Sequence, residues 1–426
     1  MFFDRPDAGK KALLLQLVLT RGDAGPGTSE EAESALSELR ELSAALELDI
    51  CGSVTGRRDT PHPRWFVGEG KLEELKTELK HTGADLVLVN HELSAGQQRN
   101  LEKALDVRVL TRTELILHIF SARAQTHEGQ LQVELAHLEH ARTRLVRGWT
   151  HLDRQKGGIG LKGAGEKQIE MDQRMLGERI KITRKRLEDV AKRRELSRRR
   201  RQRNETPVIS LVGYTNAGKS TLFNRLTSGD VLVADQLFAT LDPTMRRVDV
   251  QGVGECVVAD TVGFISALPH SLVEAFKATL EEVAQADLLL HVLDASDPRA
   301  AEKKRDVEAV LAEIGADGIP TLLVLNKVDQ AESLPEGLDG VPVSALTGEG
   351  VPGLLKAVGD AFGVARPALK VVLKPEDGKT RAWLYKMGAV MEESVHEDGS
   401  LELTVRADDQ LAGQLARRQE VLLRRA

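Results

Sequence analysis

Cysteine is nearly missing from this chain. Its two residues, Cys51 and Cys256, lie far apart in a sequence of 426. They form neither a disulfide framework nor a CxxC metal site, so free thiols in a reducing cytosol are the default. Long apolar runs are missing too. None approaches the ~18 residues that a membrane-spanning helix needs. The start, Met1-Phe-Phe-Asp-Arg-Pro6, lacks the basic-then-apolar pattern of a secretory signal, and the expected location is cytoplasmic. The composition is that of an ordinary globular protein, 41% hydrophobic and 29% charged. At this length the chain has room for about three domains, each with its own core.

The charge is unevenly spread. The formal net charge is −6, yet residues 141–203 hold 21 Lys+Arg against 8 Asp+Glu, a net of +13. The remainder of the chain then carries −19. One basic element on an acidic body can seek phosphates while the body resists non-specific capture.

Residues 1–111 alternate strand and helix signals. Ala12–Leu19, Leu48–Val54, Ala84–Val89 and Val107–Leu110 read as strands, with helical periodicity over Glu30–Leu46, Lys71–Lys80 and Gln97–Leu105. Such alternation implies a small parallel-sheet domain. Gly68-Glu-Gly-Lys71 precedes a helix there and reads either as a capping turn or as a weak phosphate contact. From residue 112 the pattern becomes long helix. Leu131, Leu135, Leu138 and Leu145 keep a two-helix seam, and Ile169, Leu176, Ile180, Leu187 and Val190 keep the same period beyond a glycine-rich interruption at 157–165. Two antiparallel helices of roughly 35 residues, about 50 Å long, with the glycines at the tip, are the economical reading. Its basic residues include Arg142, Arg144 and Arg147 on one helix and Lys162 and Lys167 beside the tip, all candidates for RNA phosphates. A solvated charged face and a flexible turn are the competing reading. Trp149, near the tip, either stacks on a base or locks the hairpin shut.

The chemistry lies in the next segment. Pro207–Val212 reads as a strand and Thr221–Leu226 as a helix start. Between them runs Gly213-Tyr214-Thr215-Asn216-Ala217-Gly218-Lys219-Ser220, a phosphate-binding loop in its required context. Its glycines let backbone amides approach phosphate oxygens, and the helix N-terminus, which takes in Thr221, adds partial positive charge. Lys219 reaches the β- and γ-phosphates and the Ser220 hydroxyl binds Mg²⁺. Cys256–Ala259 is a strand ending in Asp260-Thr-Val-Gly-Phe264. Asp260 suits the Mg²⁺ surroundings and the Gly263 amide can meet the γ-phosphate. Thr321–Leu325 delivers Asn326-Lys327-Val-Asp329, whose terminal carboxylate matches the two donors on the Watson–Crick edge of guanine and rejects adenine. Ser344-Ala345-Leu346 follows a further strand, and its backbone can meet the guanine carbonyl. The reading is a GTP- and GDP-binding site that hydrolyses GTP.

This order of motifs resembles the translation-factor-related class of P-loop GTPases. In that light Thr240 looks like the switch threonine that binds Mg²⁺ in the GTP state, with Thr244 as the alternative. Lys219, Thr240 and Gly263 are the expected catalytic set. Phe264 stands where Ras-like enzymes carry a water-orienting glutamine, and its side chain has no donor or acceptor. Slow intrinsic turnover, raised by a partner, is therefore expected. Asn216 leaves two readings open: a structural residue, or, by resemblance to related GTPases, a ligand that holds K⁺ against the phosphates.

The whole chain resembles the HflX family of GTPases. The resemblance rests on residues 148–160 (Gly-Trp-Thr-His-Leu-Asp-Arg-Gln-Lys-Gly-Gly-Ile-Gly), 163–170, 213–224, Phe238-Ala-Thr-Leu-Asp-Pro-Thr244 and 260–264. Pro63–Lys71 and Arg381–Tyr385 match its outer domains. Ala164 and Lys167 depart from the family's usual proline and threonine at the tip. The expected fold class is α/β: a P-loop GTPase domain (206–365) preceded by a small parallel-sheet α/β domain (1–111) and a long antiparallel helical hairpin (112–205), and followed by a small α+β domain (366–426). The resemblance implies binding to the large (50S) ribosomal subunit and its 23S rRNA and splitting of 70S ribosomes during stress or rescue, and a monomer is expected. A 50S-assembly GTPase and a nucleotide-dependent protein scaffold with negligible turnover are the alternatives.

Overall fold

The computed structural model describes residues 10–20, 28–148, 164–203, 206–227, 238, 244–251, 253–265, 283–365, 368–374, 377–387, 389–396, 399–406, 411, 415 and 422–425. The chain divides into two compact units, which part between Ser197 and Arg198; Phe238 belongs to the first.

The first unit opens with the expected alternation. Strands β1 (Lys11–Leu19), β2 (Asp49–Arg58), β3 (Leu86–Val89) and β4 (Arg108–Thr111) form a wholly parallel sheet in the order β2-β1-β3-β4. Helices α1 (Ser29–Ala44), α2 (Glu69–Thr82) and α3 (Ala95–Leu105) connect them. Local sequence sets the helix starts. Thr28 with Glu31, and Ser94 with Gln97, close reciprocal capping boxes that satisfy otherwise orphaned amides. Leu13, Leu15, Leu17, Leu75, Val87, Leu101 and Val109 make the core. Gly68 caps α2, and Lys71 Nζ donates to Glu74 at 2.6 Å, which suits the capping-turn reading of that motif.

Helix α4 (Arg112–Arg123) starts on a third capping box, from Thr111 and Glu114. Five of its residues 115–120 are buried, all but His118. The sequence reading of one long helix from residue 112 is corrected here. The chain leaves helical geometry at Ala124, and Thr126 Oγ1 accepts from the Gly129 amide to start a new helix. Helices α5 (His127–Gly148) and α6 (Ala164–Arg203) follow, with 22 and 40 residues rather than two equal arms. Their seam is the one that the leucine spacing predicts. Leu135 and Leu138 meet Leu176 and Ile180, flanked by Leu145 and Leu187. Arg179–Glu134 (2.7 Å) and Arg184–Glu139 (2.6 Å) pair across it. Phe238 packs edge-on against Phe120 of α4, with ring centres 4.7 Å apart, and holds a left-handed φ of 56° to do so. A bulky residue tolerates that backbone only when its burial over-determines it.

In the second unit, β5 (Val208–Val212), β6 (Thr244–Val250), β7 (Gly254–Asp260), β8 (Leu288–Asp294), β9 (Thr321–Asn326) and β10 (Val341–Pro342) form a six-stranded sheet in the order β10-β9-β8-β5-β7-β6. Only β6 runs antiparallel, Thr244 opposite Asp260. Helices α7 (Lys219–Thr227) and α9 (Val351–Ala365) cover one face through Leu222, Phe223, Leu354, Val358 and Phe362. On the other face Ala300 of α8 (Ala300–Glu313) packs with Leu293, Leu323 and Leu325. The strands β5, β7, β8 and β9 read as near-continuous apolar runs because both faces are covered.

The C-terminal module is an antiparallel sheet in the order β12-β13-β11-β14, from β11 (Ala368–Leu373), β12 (Val390–Val395), β13 (Leu401–Arg406) and β14 (Leu422–Arg425). Here the sequence reading of 382–385 as a strand is overturned. These residues lie in helix α10 (Gly378–Lys386). Thr380 and Leu384 are buried four residues apart, a helical spacing that the short Ala-Trp-Leu-Tyr run had hidden. Among the described residues no helix is long and apolar enough to cross a membrane.

Candidate nucleotide-binding site

Four strands of the six-stranded sheet end on one edge, and their loops build the site. The turn after β5 must pass close to its neighbours. A Cβ at Gly213 would lie 2.2 Å from the Val292 carbonyl oxygen, and one at Gly218 would lie 2.2 Å from Asn326 Nδ2. Both glycines hold positive φ, 148° and 87°. No larger residue fits either place. Helix α7 begins at Lys219, so its N-terminus faces the loop.

Lys219 is buried, and its Nζ donates to the carbonyls of Gly213 (3.0 Å) and Tyr214 (2.8 Å). Burial pushes its pKa down to about 8, with the Asp260 carboxylate opposing the shift. Ser220 Oγ donates to Asp260 Oδ2 at 2.7 Å. A hydroxyl and a carboxylate, both hard oxygen donors of the kind Mg²⁺ takes, stand together beside the loop. Among the described residues no cluster of three or more His, Cys, Asp or Glu could hold an ion by itself. A cation at Ser220 and Asp260 therefore needs phosphate oxygens and water to complete its shell.

The turn after β7 is laced to the phosphate loop. The Thr215 amide donates to the Phe264 carbonyl (2.7 Å) and the Phe264 amide to the Gly213 carbonyl (3.1 Å). A Cβ on Gly263 would come within 2.9 Å of Lys219 Nζ, so its backbone lies close against the phosphate loop's lysine. Phe264 is buried and packs. Thr240 lies outside the described residues. The alternative, Thr244, is the first residue of β6 and sits across from Asp260.

Asn326 joins the two halves of the site. Its Nδ2 donates to the Ala217 carbonyl (2.8 Å), and its Oδ1 accepts from the Ala345 amide (2.9 Å). Lys327 turns the chain with a φ of 63° and pairs with Asp294 at 2.7 Å. That leaves Asp329 exposed at the mouth. Ser344 and Ala345 are buried, and Leu346 is exposed. Asn216, at φ 60°, is exposed on the loop and Thr221 is half-buried on α7. Sequence reasoning missed Asp294 at the end of β8, and Lys303, whose ammonium sits 4.6 Å from the Tyr214 ring centre. The buried strand that delivers Asp294, Leu288–Asp294, was the available signal.

The basic hairpin residues are placed unevenly. Arg142 is exposed, whereas Arg144 is turned inward onto Glu114 (3.4 Å) and His140 (3.2 Å). The side chains of Arg147 and Lys167, all of Lys162, and the glycine tip with Trp149 lie outside the described residues. Sequence position did not reveal the Arg144–Glu114 pair because the partner is 30 residues away.

One measurable consequence follows from Lys219. Its apo pKa of about 8 lies below the ordinary lysine value of 10.5, and a bound polyphosphate favours the ammonium. Between those limits the unfolded chain holds more protons than the apo fold, so this group's contribution to apo stability rises with pH. Nucleotide binding runs the other way: above pH 8 it must take up a proton. GDP affinity then falls as pH rises, by up to about tenfold per unit. Calorimetry at pH 8.5 in two buffers of different ionisation enthalpy reads the uptake directly; buffer-independent heats would refute it.

A Gly-x4-Gly-Lys-Ser turn from a parallel strand into a helix, an Asp–Ser pair beside it and an Asn-Lys-x-Asp loop define a P-loop GTPase. Family models match the chain almost throughout. They are a GTP-binding GTPase N-terminal model over residues 33–121, a GTPase middle-region model over 123–201, a 50S ribosome-binding GTPase model over 208–327 and the HflX C-terminal domain over 329–424. The chain is 51% identical over 414 residues to GTPase HflX of Escherichia coli strain K12, 95% of each chain. It is 46% identical over 399 residues to GTPase HflX of Magnetococcus marinus, 92% of this chain and 91% of that one. A solved structure of SsGBP in complex with GDP covers 82% of this chain and 97% of its own, at 24% identity and a TM-score of 0.47. The chain belongs to the HflX family, and it is a GTPase.

Proposed function

We propose that this GTPase binds the large ribosomal subunit through its N-terminal domain and helical hairpin, and that GTP-bound protein splits 70S ribosomes in stress or rescue. The observation that carries the reading is the surface of α6. Between Arg174 and Arg193 it exposes eight Lys or Arg, of which Arg179 and Arg184 are paired with α5. Such a face meets a dense phosphate surface, and rRNA is the large structured one in the cytoplasm. The 50S ribosome-binding description of the matching GTPase family agrees with it. Arg142, Arg147, Lys162 and Lys167 are assigned to the same rRNA contact.

Hydrolysis would draw on the residues of the nucleotide site. Loop amides and Lys219 would bind the β- and γ-phosphates, Ser220 and Thr240 would hold Mg²⁺ beside Asp260, and the Gly263 amide would donate to the γ-phosphate. When bound, Mg²⁺ neutralises charge that develops on the phosphate oxygens. Phe264 supplies no group that orients water, so turnover of the free protein is slow and rises on the ribosome. Donors supplied by a partner raise such rates by roughly 10³–10⁵.

Sedimentation of 70S particles with the protein and a non-hydrolysable GTP analogue tests this. The expected result is conversion to 50S and 30S, with binding that weakens steeply with salt. Co-migration with 50S precursors alone would move the role to subunit assembly. Absence of ribosome binding, with capture of proteins that survives RNase, would leave a scaffold. Turnover compared in KCl and NaCl decides whether Asn216 acts through K⁺.

A further inference from the structure

The loop that faces the purine has no apolar anchor at its tip, since Leu346 is 65% exposed. Arg225, on α7, supplies one by hydrogen bonding. Its Nε donates to the Ala345 carbonyl at 3.1 Å, and its Nη2 donates to the carbonyl of Leu346. The guanidinium also lies against Gly348, where an added Cβ would sit 3.7 Å from Cζ. The loop is therefore gripped twice. Asn326 takes the Ala345 amide on one side, and Arg225 takes two consecutive carbonyls on the other. Both grips trace back to the phosphate loop and its helix, because Asn326 also bonds the Ala217 carbonyl.

The orientation has a chemical consequence. In a trans peptide the C=O of one residue and the N–H of the next point in opposite directions. No cis peptide is present among the described residues. Turning the Ala345 carbonyl onto Arg225 thus aims the Leu346 amide away from the arginine. The next amide, Thr347, is already engaged, donating to Ser344 Oγ at 3.0 Å. We infer that Arg225 is a positioning residue for base recognition: it aims the Leu346 amide at the purine 6-oxygen and couples that reading to the phosphate-binding helix. A guanidinium suits the task because its fork meets two oxygens in fixed geometry, which a lysine cannot do.

The test uses the full chain with Arg225→Ala and Arg225→Lys, and two diphosphates: GDP and 6-thio-GDP. The sulfur probe keeps both donors that Asp329 reads and replaces the oxygen at position 6 by a larger, weaker acceptor. Wild-type protein is expected to prefer GDP. Arg225→Ala should weaken GDP about tenfold, through faster dissociation, and leave 6-thio-GDP nearly unchanged, since one hydrogen bond to the base carries roughly that factor. The preference for oxygen then collapses, and Arg225→Lys restores part of it. A ratio of the two affinities that stays at the wild-type value in both variants overturns the inference, whether both affinities fall together or neither moves. If the alanine variant does not fold, as its melting curve would show, the lysine variant decides on the same ratio.

Discussion

Lys219→Met is expected to remove nucleotide binding while leaving the apo fold intact. Methionine keeps most of the length and packing of the stem and deletes the ammonium with its donors. In the apo protein that ammonium is buried and held by two carbonyls of its own loop, and burial opposes its charged form. Losing it therefore costs the fold little, because the desolvation of a cation disappears along with its two bonds. In the complex the balance reverses. The same ammonium faces a polyphosphate, and removing one member of a desolvated, hydrogen-bonded charge pair costs roughly 2–5 kcal/mol. That is a drop in GDP and GTP affinity of at least about 30-fold and up to several thousand-fold. Calorimetric titration of the folded variant gives the answer. Retained affinity, with or without a fall in melting temperature, would mean that the phosphates bind elsewhere.

Asp329→Asn should exchange one purine for another. The carboxylate accepts from the two donors on the edge of guanine, and an exposed position at the mouth of the site lets a base reach it. Asparagine replaces one acceptor by an N–H donor, which clashes with the guanine 2-amino group and matches the 2-carbonyl of xanthine. Sites built around a hydrogen-bond pattern reject the wrong pattern strongly, by roughly 10⁴–10⁵ at the upper end. The expected result is a loss of at least about 10²-fold for GTP together with a preference for XTP. Competition of unlabelled GTP and XTP against a fluorescent nucleotide reads both arms. A variant that still prefers GTP would remove Asp329 from base recognition, and with it the assignment of the neighbouring loop.

These two residues, with Ser220, Asp260 and Asn326, were legible from the chain because each belongs to a short segment with its own punctuation. A buried strand, a glycine-bearing turn and a helix start leave a pattern that does not depend on the rest of the molecule. The N-terminal sheet was legible from its alternation of strand and helix signals, whereas the capping boxes of Thr28, Ser94 and Thr111 that set the helix starts came from the structure. The helix over 378–386 was not, because an aromatic-rich run of four residues fits a strand equally well until the sheet beneath it selects the buried positions. The break at Ala124 was also hidden. Helical periodicity persists on both sides of it, and only the change in packing partner separates α4 from α5.

Local pattern alone determined the nucleotide chemistry, the parallel sheets and the basic hairpin seam, since amide-lined turns and periodic apolar residues act over a few positions. Tertiary structure decided which charges are available and which are occupied. Arg144 is lost to Glu114, Lys327 to Asp294, and Arg225 is committed to a loop about 120 residues downstream. Ion pairs and carbonyl contacts of that kind depend on where distant segments come to rest, and no spacing along the chain encodes them.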